Sequence, residues 1–163
     1  MHRDKALSET HEMYLKTLYE VRSRHDVAHV RDLASGLGVS PGTVSAAVKK
    51  LEKLGLVEHE RYGVIALTEA GTRIAECVVR RFETVRDVLV EIFGIDPGVA
   101  DVDACQMEHA VSPSTANRMR SLLERVRAGK RELPRRPLRL PKNDPCWECE
   151  TLDACQAVAA LEA

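Results

Sequence analysis

Ser40-Pro41-Gly42-Thr43-Val44-Ser45-Ala46-Ala47-Val48-Lys49-Lys50-Leu51-Glu52-Lys53, running into Leu54-Gly55, decides the fold. Serine at a cap position with proline in the first turn is a strong helix start, because proline lacks the N–H that a first turn leaves unpaired. Val44, Val48 and Leu51 form one stripe at i, i+4 and i+7, the signature of a helix with one buried face. Upstream, residues 30–37 read as a short helix ended by Gly38. Downstream, residues 56–60 and 64–67 read as two short strands joined by Arg61-Tyr62-Gly63. Helix, turn, helix, then hairpin is the winged helix-turn-helix pattern. The expected fold is therefore mainly α, with a winged helix-turn-helix DNA-binding domain at residues 1–70.

With Val44, Val48 and Leu51 inward, Gly42, Ala46, Lys49, Lys50 and Lys53 face outward, and Thr43 and Ser45 flank them. The N-terminal turn of a recognition helix approaches the base edges. Here it offers Ser40, Gly42, Thr43, Ser45 and Ala46, all small. Such residues allow close approach, hydroxyl contacts and methyl contacts to thymine, but no bidentate arginine–guanine pair. Lys49, Lys50 and Arg61 are expected to bind phosphate, with DNA shape carrying part of the discrimination.

Composition supports this picture and limits it. The chain has 163 residues, 44% apolar, 30% charged and only 4% aromatic, so its core must come mainly from aliphatic side chains. Net charge is −1. DNA affinity must then come from a local basic face rather than from the whole molecule. No run reaches the roughly 18 apolar residues of a membrane span, and Met1-His-Arg-Asp-Lys-Ala6 has no signal-peptide stretch. These features predict a cytoplasmic protein without membrane association. Five cysteines without a leader argue for metal, redox or buried thiols rather than a disulfide framework.

A first helix is expected over residues 8–25, capped by Ser8. After the hairpin, Thr68 caps a long helix expected to run to Phe93 and end at Gly94, with Ile74, Val78, Val85, Leu89 and Ile92 at helical spacing. Two shorter helices follow, over residues 97–109 and 112–127, the second started by Ser112-Pro113. These helices look too few and too apolar to close a core alone, so residues 71–128 read as a helical metal-binding and dimerisation domain. Residues 129–142 form a basic linker: Lys130, Arg131, Arg135, Arg136, Arg139 and Lys142 against Glu132, with three prolines. Residues 143–163 form an acidic tail without Lys or Arg.

Cys105, Glu108 and His109 sit at i, i+3 and i+4. On a helix that spacing gathers a thiolate, a carboxylate and an imidazole on one face. Each is a metal-ligand type, and the soft sulfur biases the set toward a transition metal. Taken singly, a cysteine is usually a small buried hydrophobe and a histidine a surface or capping residue. Their combination beside a DNA-reading module points to a metal-responsive regulator.

Glu12-Met-Tyr-Leu-Lys-Thr-Leu-Tyr-Glu20, Thr43-Val-Ser45, Leu56-Val57, Leu67-Thr68 and Ala104-Cys-Gln-Met-Glu-His109 resemble the metal-dependent repressors typified by the diphtheria toxin repressor and the manganese transport regulators. The resemblance covers residues 7–126. It implies a homodimer on double-stranded DNA with a palindromic operator, and Fe(II) or Mn(II) as co-repressor. It also implies a primary site of Met13, Cys105, Glu108 and His109. The manganese branch usually has carboxylates where Met13 and Cys105 stand, so the two sulfurs favour Fe(II). The family's second site draws on positions held here by Phe82, Arg86 and Asp101. Phe82 cannot ligate and Arg86 is a cation, so we expect Arg86 to pair with Asp101 in place of that metal. The C-terminal barrel-like domain of some members does not fit in the residues that remain, and the tail has no counterpart in the resemblance.

In the tail, Cys146-x2-Cys149 followed by Cys155 offers three sulfur ligands of a second site for zinc or an iron–sulfur cluster, a fourth ligand being absent. Two other readings stay open: a regulator sensing a cluster, zinc or redox state through these cysteines, and a winged-helix protein-interaction module without DNA. An enzyme is not expected, since no nucleophile–base pair or phosphate-binding glycine loop is present.

Overall fold

The computed structural model describes residues 7–25, 27–59 and 63–129. Arg61 in the wing, the basic linker from Lys130 onward and Cys146, Cys149 and Cys155 lie outside the described residues. Six α-helices and a two-stranded sheet follow in order: α1 (Glu9–Arg24), α2 (Val30–Leu37), α3 (Pro41–Lys53), β1 (Val57–His59), β2 (Ile65–Leu67), α4 (Glu69–Asp87), α5 (Pro97–Met107) and α6 (Pro113–Arg127). A π-helical segment, Val88–Ile92, continues α4. The chain forms two compact units that divide between Cys77 and Val78, inside α4.

Local chemistry explains the helix starts. Ser8, Ser40 and Ser112 accept through Oγ from the backbone N–H three residues on, at 3.3, 3.2 and 3.2 Å. Asp96 does the same for α5, accepting from Gly98 and Val99 at 2.9 and 3.3 Å. Each satisfies a donor that a helix start leaves orphaned. At α2 the Asp32 carboxylate reaches back to the His29 N–H at 2.8 Å. Gly38 ends α2 in the left-handed region, φ 64°, where a side chain would strain the backbone.

The first unit is the expected winged helix. Tyr14, Leu15 and Leu18 of α1, Leu33 and Ala34 of α2, and Val44, Val48 and Leu51 of α3 are buried together with Leu56, Ile65 and Ile74. The hairpin is antiparallel, with Val57 opposite Leu67, Glu58 opposite Ala66 and His59 opposite Ile65. Both strands are shorter than their apolar runs suggest. The wing is anchored from behind: Ile65 N–H donates to the Ala28 carbonyl at 2.8 Å, and Arg22 donates to the Ile65 carbonyl at 3.4 Å. Thr68 joins wing, recognition helix and α4. Its Oγ1 donates to the Gly55 carbonyl at 2.7 Å and accepts from Gly71 N–H at 3.1 Å, and its N–H donates to the Leu56 carbonyl at 3.1 Å.

The second unit differs from the single long helix expected over residues 69–93. The α pattern stops at Asp87, and Phe93 N–H then bonds the Val88 carbonyl five residues back. A π turn is wider than an α turn and shifts the phase of the buried stripe. Val88, three residues after the buried Val85, is buried, while Leu89 and Ile92 are half-buried. Among the described residues, the buried apolar side chains of this unit are Val78, Val85, Val88, Ala100, Ala104, Ala116 and Leu123.

Candidate metal centre and nucleic-acid interface

The recognition helix α3 presents its expected face. Gly42, Thr43, Ala46, Lys49 and Lys50 are exposed and Ser45 is half-buried. The hydroxyls are less available than their residue types suggest. Ser45 Oγ donates to the Pro41 carbonyl at 2.9 Å, the back-bonding typical of serine inside a helix. Ser40 Oγ and Thr43 Oγ1 bond each other at 2.8 Å. What α3 offers freely is the Gly42–Ala46 surface, which admits close approach, and the lysines. His59 Nδ1 lies 3.1 Å from Glu52 Oε1, tying the wing to the last turn of α3. His11 lies near the same face: burial, and then the positive charge of Lys50, lower its pKa from 6.5. Replacing Lys49 or Lys50 by alanine should weaken binding to any duplex about equally and reduce the salt slope by about 1 each. Binding isotherms over a salt series measure this.

The donors of the second unit are only partly gathered. α5 ends at Met107, short of the expected residue 109, and Glu108 is its C-cap, still in helical conformation at φ −55° and ψ −35°. Glu108 is fully buried, with a relative exposure of 0%. Its Oε1 lies 3.4 Å from His109 Nε2, whose side chain is also nearly buried. Cys105, one turn earlier, is a free, half-buried thiol. Among the described residues no group of three or more His, Cys, Asp or Glu side chains is assembled at metal-binding spacing. Two of the three donors thus meet, while Cys105 lies one turn earlier on α5. Met13 lies on α1 in the first unit, half-buried between the buried Glu12 and Tyr14.

The donor chemistry fits a divalent transition metal. Burying a carboxylate is costly unless positive charge and hydrogen bonds compensate it. Glu108 and His109 bring a buried carboxyl group and an imidazole to 3.4 Å from each other, and Cys105 lies one turn earlier on α5. Cys77, half-buried on α4 and in no disulfide, is not one of these donors.

Arg86 pairs with Asp101, as expected from their charges. Arg86 Nε donates to Asp101 Oδ1 at 2.5 Å, and its Nη1 lies 3.6 Å from Asp87 Oδ1. Arg127 was not anticipated. It donates through Nη2 to Asp87 Oδ2 at 2.6 Å, through Nε to Glu91 Oε2 at 3.0 Å, and through Nη2 also to Glu91 Oε1. The hydrogen bond that Arg86 donates to Asp101 holds Arg86 above its ordinary pKa, and those that Arg127 donates to Glu91 and Asp87 do the same for Arg127. The Glu91 carboxyl is held below 4.5, chiefly by its hydrogen bond from Arg127. A carboxyl with a lowered folded-state pKa stabilises the fold above its unfolded pKa, and that contribution is lost as pH falls through the folded value. The gap in melting temperature between the native chain and Glu91→Gln should therefore be present at neutral pH and close on acidification below pH 4.5, as a thermal denaturation series would show.

Among the described residues, the exposed large apolar side chains are Phe93, Val99, Val102, Met107 and Val126 in this unit and Val27, Val39 and Leu54 in the first. Val102→Asp should weaken self-association without unfolding the chain, read by sedimentation over a concentration series.

The sequence and fold match known proteins. Residues 6–65 match the iron dependent repressor N-terminal DNA binding domain, and residues 68–135 match the iron dependent repressor metal binding and dimerisation domain. A helix-turn-helix transcriptional regulator of Methanocaldococcus jannaschii, itself uncharacterised, is 32% identical over 122 residues, which cover 74% of this chain and 98% of that protein. The diphtheria toxin repressor of Corynebacterium glutamicum is 32% identical over 122 residues, covering 75% of this chain and 54% of the repressor. The solved structure of the manganese regulator SloR superposes with a TM-score of 0.63 at 27% identity, over 70% of this chain and 53% of SloR. The chain thus spans nearly all of the archaeal regulator and about half the length of the other two.

Proposed function

This chain belongs to the iron-dependent repressor family, whose domains bind DNA, bind metal and dimerise, and on that premise we propose that it is a transcriptional repressor of metal homeostasis with Fe(II) as its co-repressor. The observation that carries the proposal is the buried Glu108–His109 pair, 3.4 Å apart, one turn after Cys105. Met13, Cys105, Glu108 and His109 would hold the metal. Two sulfurs among four donors favour Fe(II) over Mn(II), which prefers oxygen.

Bound metal would supply a compact positive charge taking donors from both units. The rest falls to the chain. Met13 belongs to α1, which packs in the DNA-reading unit through Tyr14, Leu15 and Leu18. Cys105, Glu108 and His109 belong to the dimerising unit. Engaging both sets at once would order α1 and fix the separation of two recognition helices in the homodimer. Metal and a palindromic operator would then favour the same arrangement, and each would raise affinity for the other. Ser40, Gly42, Thr43, Ser45 and Ala46 would face the bases, and Lys49, Lys50 and Arg61 the phosphates. The relatives named here are regulators rather than enzymes. Among the described residues no helix is long and apolar enough to cross a membrane, and we place the protein in the cytoplasm, where its DNA is.

The test is binding to a palindromic duplex selected from a random pool, measured anaerobically by fluorescence anisotropy with chelator, Fe(II), Mn(II) or Zn(II). Fe(II) should activate more than Mn(II), and Cys105→Asp should reverse that order. Equal binding in chelator and in every metal would reject the proposal. Loss of metal dependence only on removing Cys146, Cys149 and Cys155 would move the sensor to the tail.

A further inference from the structure

The two strands of the hairpin are held differently. β2 is tied to other elements along its length. Just before it, the Gly63 carbonyl lies 3.2 Å from His29 Nδ1. Ile65 bonds to Ala28 and Arg22, and Thr68 closes the end of the strand on Gly55 and Leu56. β1 is anchored at its start, where Leu56 N–H donates to the Leu51 carbonyl at 3.0 Å and Leu56 and Val57 are buried. Beyond Val57 its side chains are exposed. At its far end one side-chain contact reaches α3, from His59 Nδ1 to Glu52 Oε1 at 3.1 Å. A carboxylate only accepts, so Nδ1 carries the hydrogen, and the bond forms whether or not the ring is charged. Glu52 is the one carboxylate on α3, whose other charges are Lys49, Lys50 and Lys53. An anion on a helix that reads DNA opposes binding to a polyanion. Among the described residues its ion-pair partner is His59, not one of those lysines.

We propose that Glu52 and His59 are positioning residues for DNA binding: their contact fixes the far end of β1 against the last turn of α3, and so sets where the wing stands relative to the recognition helix. His59 is the residue at which the chain leaves β1, and Arg61, the phosphate contact assigned to the wing, follows two positions later. Two residues of chain span at most about 7 Å, so holding His59 limits how far Arg61 can range. Gly63, two positions after Arg61, is held by His29, and the Glu52–His59 contact completes the bracket. An exposed pair is weak by itself. It acts here by restraining a short segment of chain rather than by adding stability. This inference rests on the reading of α3 and the wing as the DNA-binding surface, and Arg61→Ala tests that reading separately.

The test is a double-mutant cycle on the full-length protein, binding the selected palindromic duplex over a salt series in whichever metal gives the tightest binding. Glu52→Ala should weaken binding about two- to fivefold, the range an exposed pair supports, although it removes an anion from a DNA-facing helix. Its salt slope should fall toward that of Arg61→Ala, itself lower by about 1, although no cation has been lost. His59→Ala should match Glu52→Ala, and the two together should be no weaker than either alone. His59→Gln, whose amide still donates to Glu52, should stay near the native affinity. In the Arg61→Ala background, Glu52→Ala should no longer weaken binding. Native or tighter binding by Glu52→Ala, or an equal loss with and without Arg61, would overturn the positioning role. So would a further loss on adding His59→Ala to Glu52→Ala, which would make His59 a direct contact to DNA. Native affinity and salt slope in Arg61→Ala would instead overturn the wing contact on which the inference rests.

Discussion

Glu108→Gln is expected to abolish metal activation of DNA binding while leaving the fold intact. Glutamine keeps the shape of a side chain whose exposure is 0% but removes the negative charge that a cation would neutralise. Typical coupling between two ligands is about 1–3 kcal/mol, or roughly 5–150-fold in affinity. The native chain should bind a selected palindrome more tightly in Fe(II) than in chelator by a factor in that range, and Glu108→Gln should show the chelator affinity in both. Its metal-free melting temperature should stay close to the native value, because glutamine keeps the size and shape of the side chain. That combination separates a lost ligand from a damaged core. Cys105→Ala should give the same loss of activation through a different donor.

Gly71→Ala is expected to have the largest effect on stability. A Cβ at this position would lie 2.0 Å from the Leu56 carbonyl oxygen and 2.9 Å from its carbon. Both are backbone atoms and cannot swing away. They also belong to the junction that Thr68 closes between α3, the wing and the start of α4. Forcing backbone apart in a packed region costs about 1–3 kcal/mol or more. At roughly 4–8 °C per kcal/mol for a unit of this size, the upper end is a fall of well over ten degrees. Gly42→Ala is the control, since its nearest neighbour is Ser40 Oγ at 3.8 Å. It should keep stability while weakening DNA binding, because its methyl group would stand on the surface that α3 presents to the bases.

These expectations draw unequally on sequence and structure. The reading head was legible because its determinants are local. Ser40-Pro41 fixes where α3 begins, and the Val44–Val48–Leu51 stripe fixes which face is buried, whatever surrounds it. The Arg86–Asp101 pair was legible from complementary charges at positions the family resemblance brings together. Other features depend on tertiary packing and left no local mark. The cap of α2 is an Asp32 carboxylate reaching back to His29, and histidine is not a usual cap residue. Leu89 and Ile92 continue the α spacing of the preceding stripe, so nothing in the sequence announces the π turn. Residue type alone does not show that the Ser40 and Thr43 hydroxyls bond each other and that the Ser45 hydroxyl bonds the Pro41 carbonyl.

The metal centre lies between these cases. Spacing put Cys105, Glu108 and His109 on one helix face; in the structure α5 ends at Met107, Glu108 and His109 approach each other, and no three-donor group is assembled among the described residues. Spacing could not show that the helix stops at Met107, nor that Glu108 is completely buried while Cys105 is half-exposed. Those differences come from what packs against α5.

The central claim is that metal and operator favour one arrangement of the same chain, and linkage makes it testable in both directions. Fe(II) affinity should be measured anaerobically, by equilibrium dialysis against a competing chelator, with the protein alone and with the protein saturated by its selected palindromic duplex. The account predicts that DNA tightens Fe(II) binding by the same factor by which Fe(II) tightens DNA binding, because a coupling free energy is reciprocal. Identical Fe(II) affinities with and without DNA would contradict it.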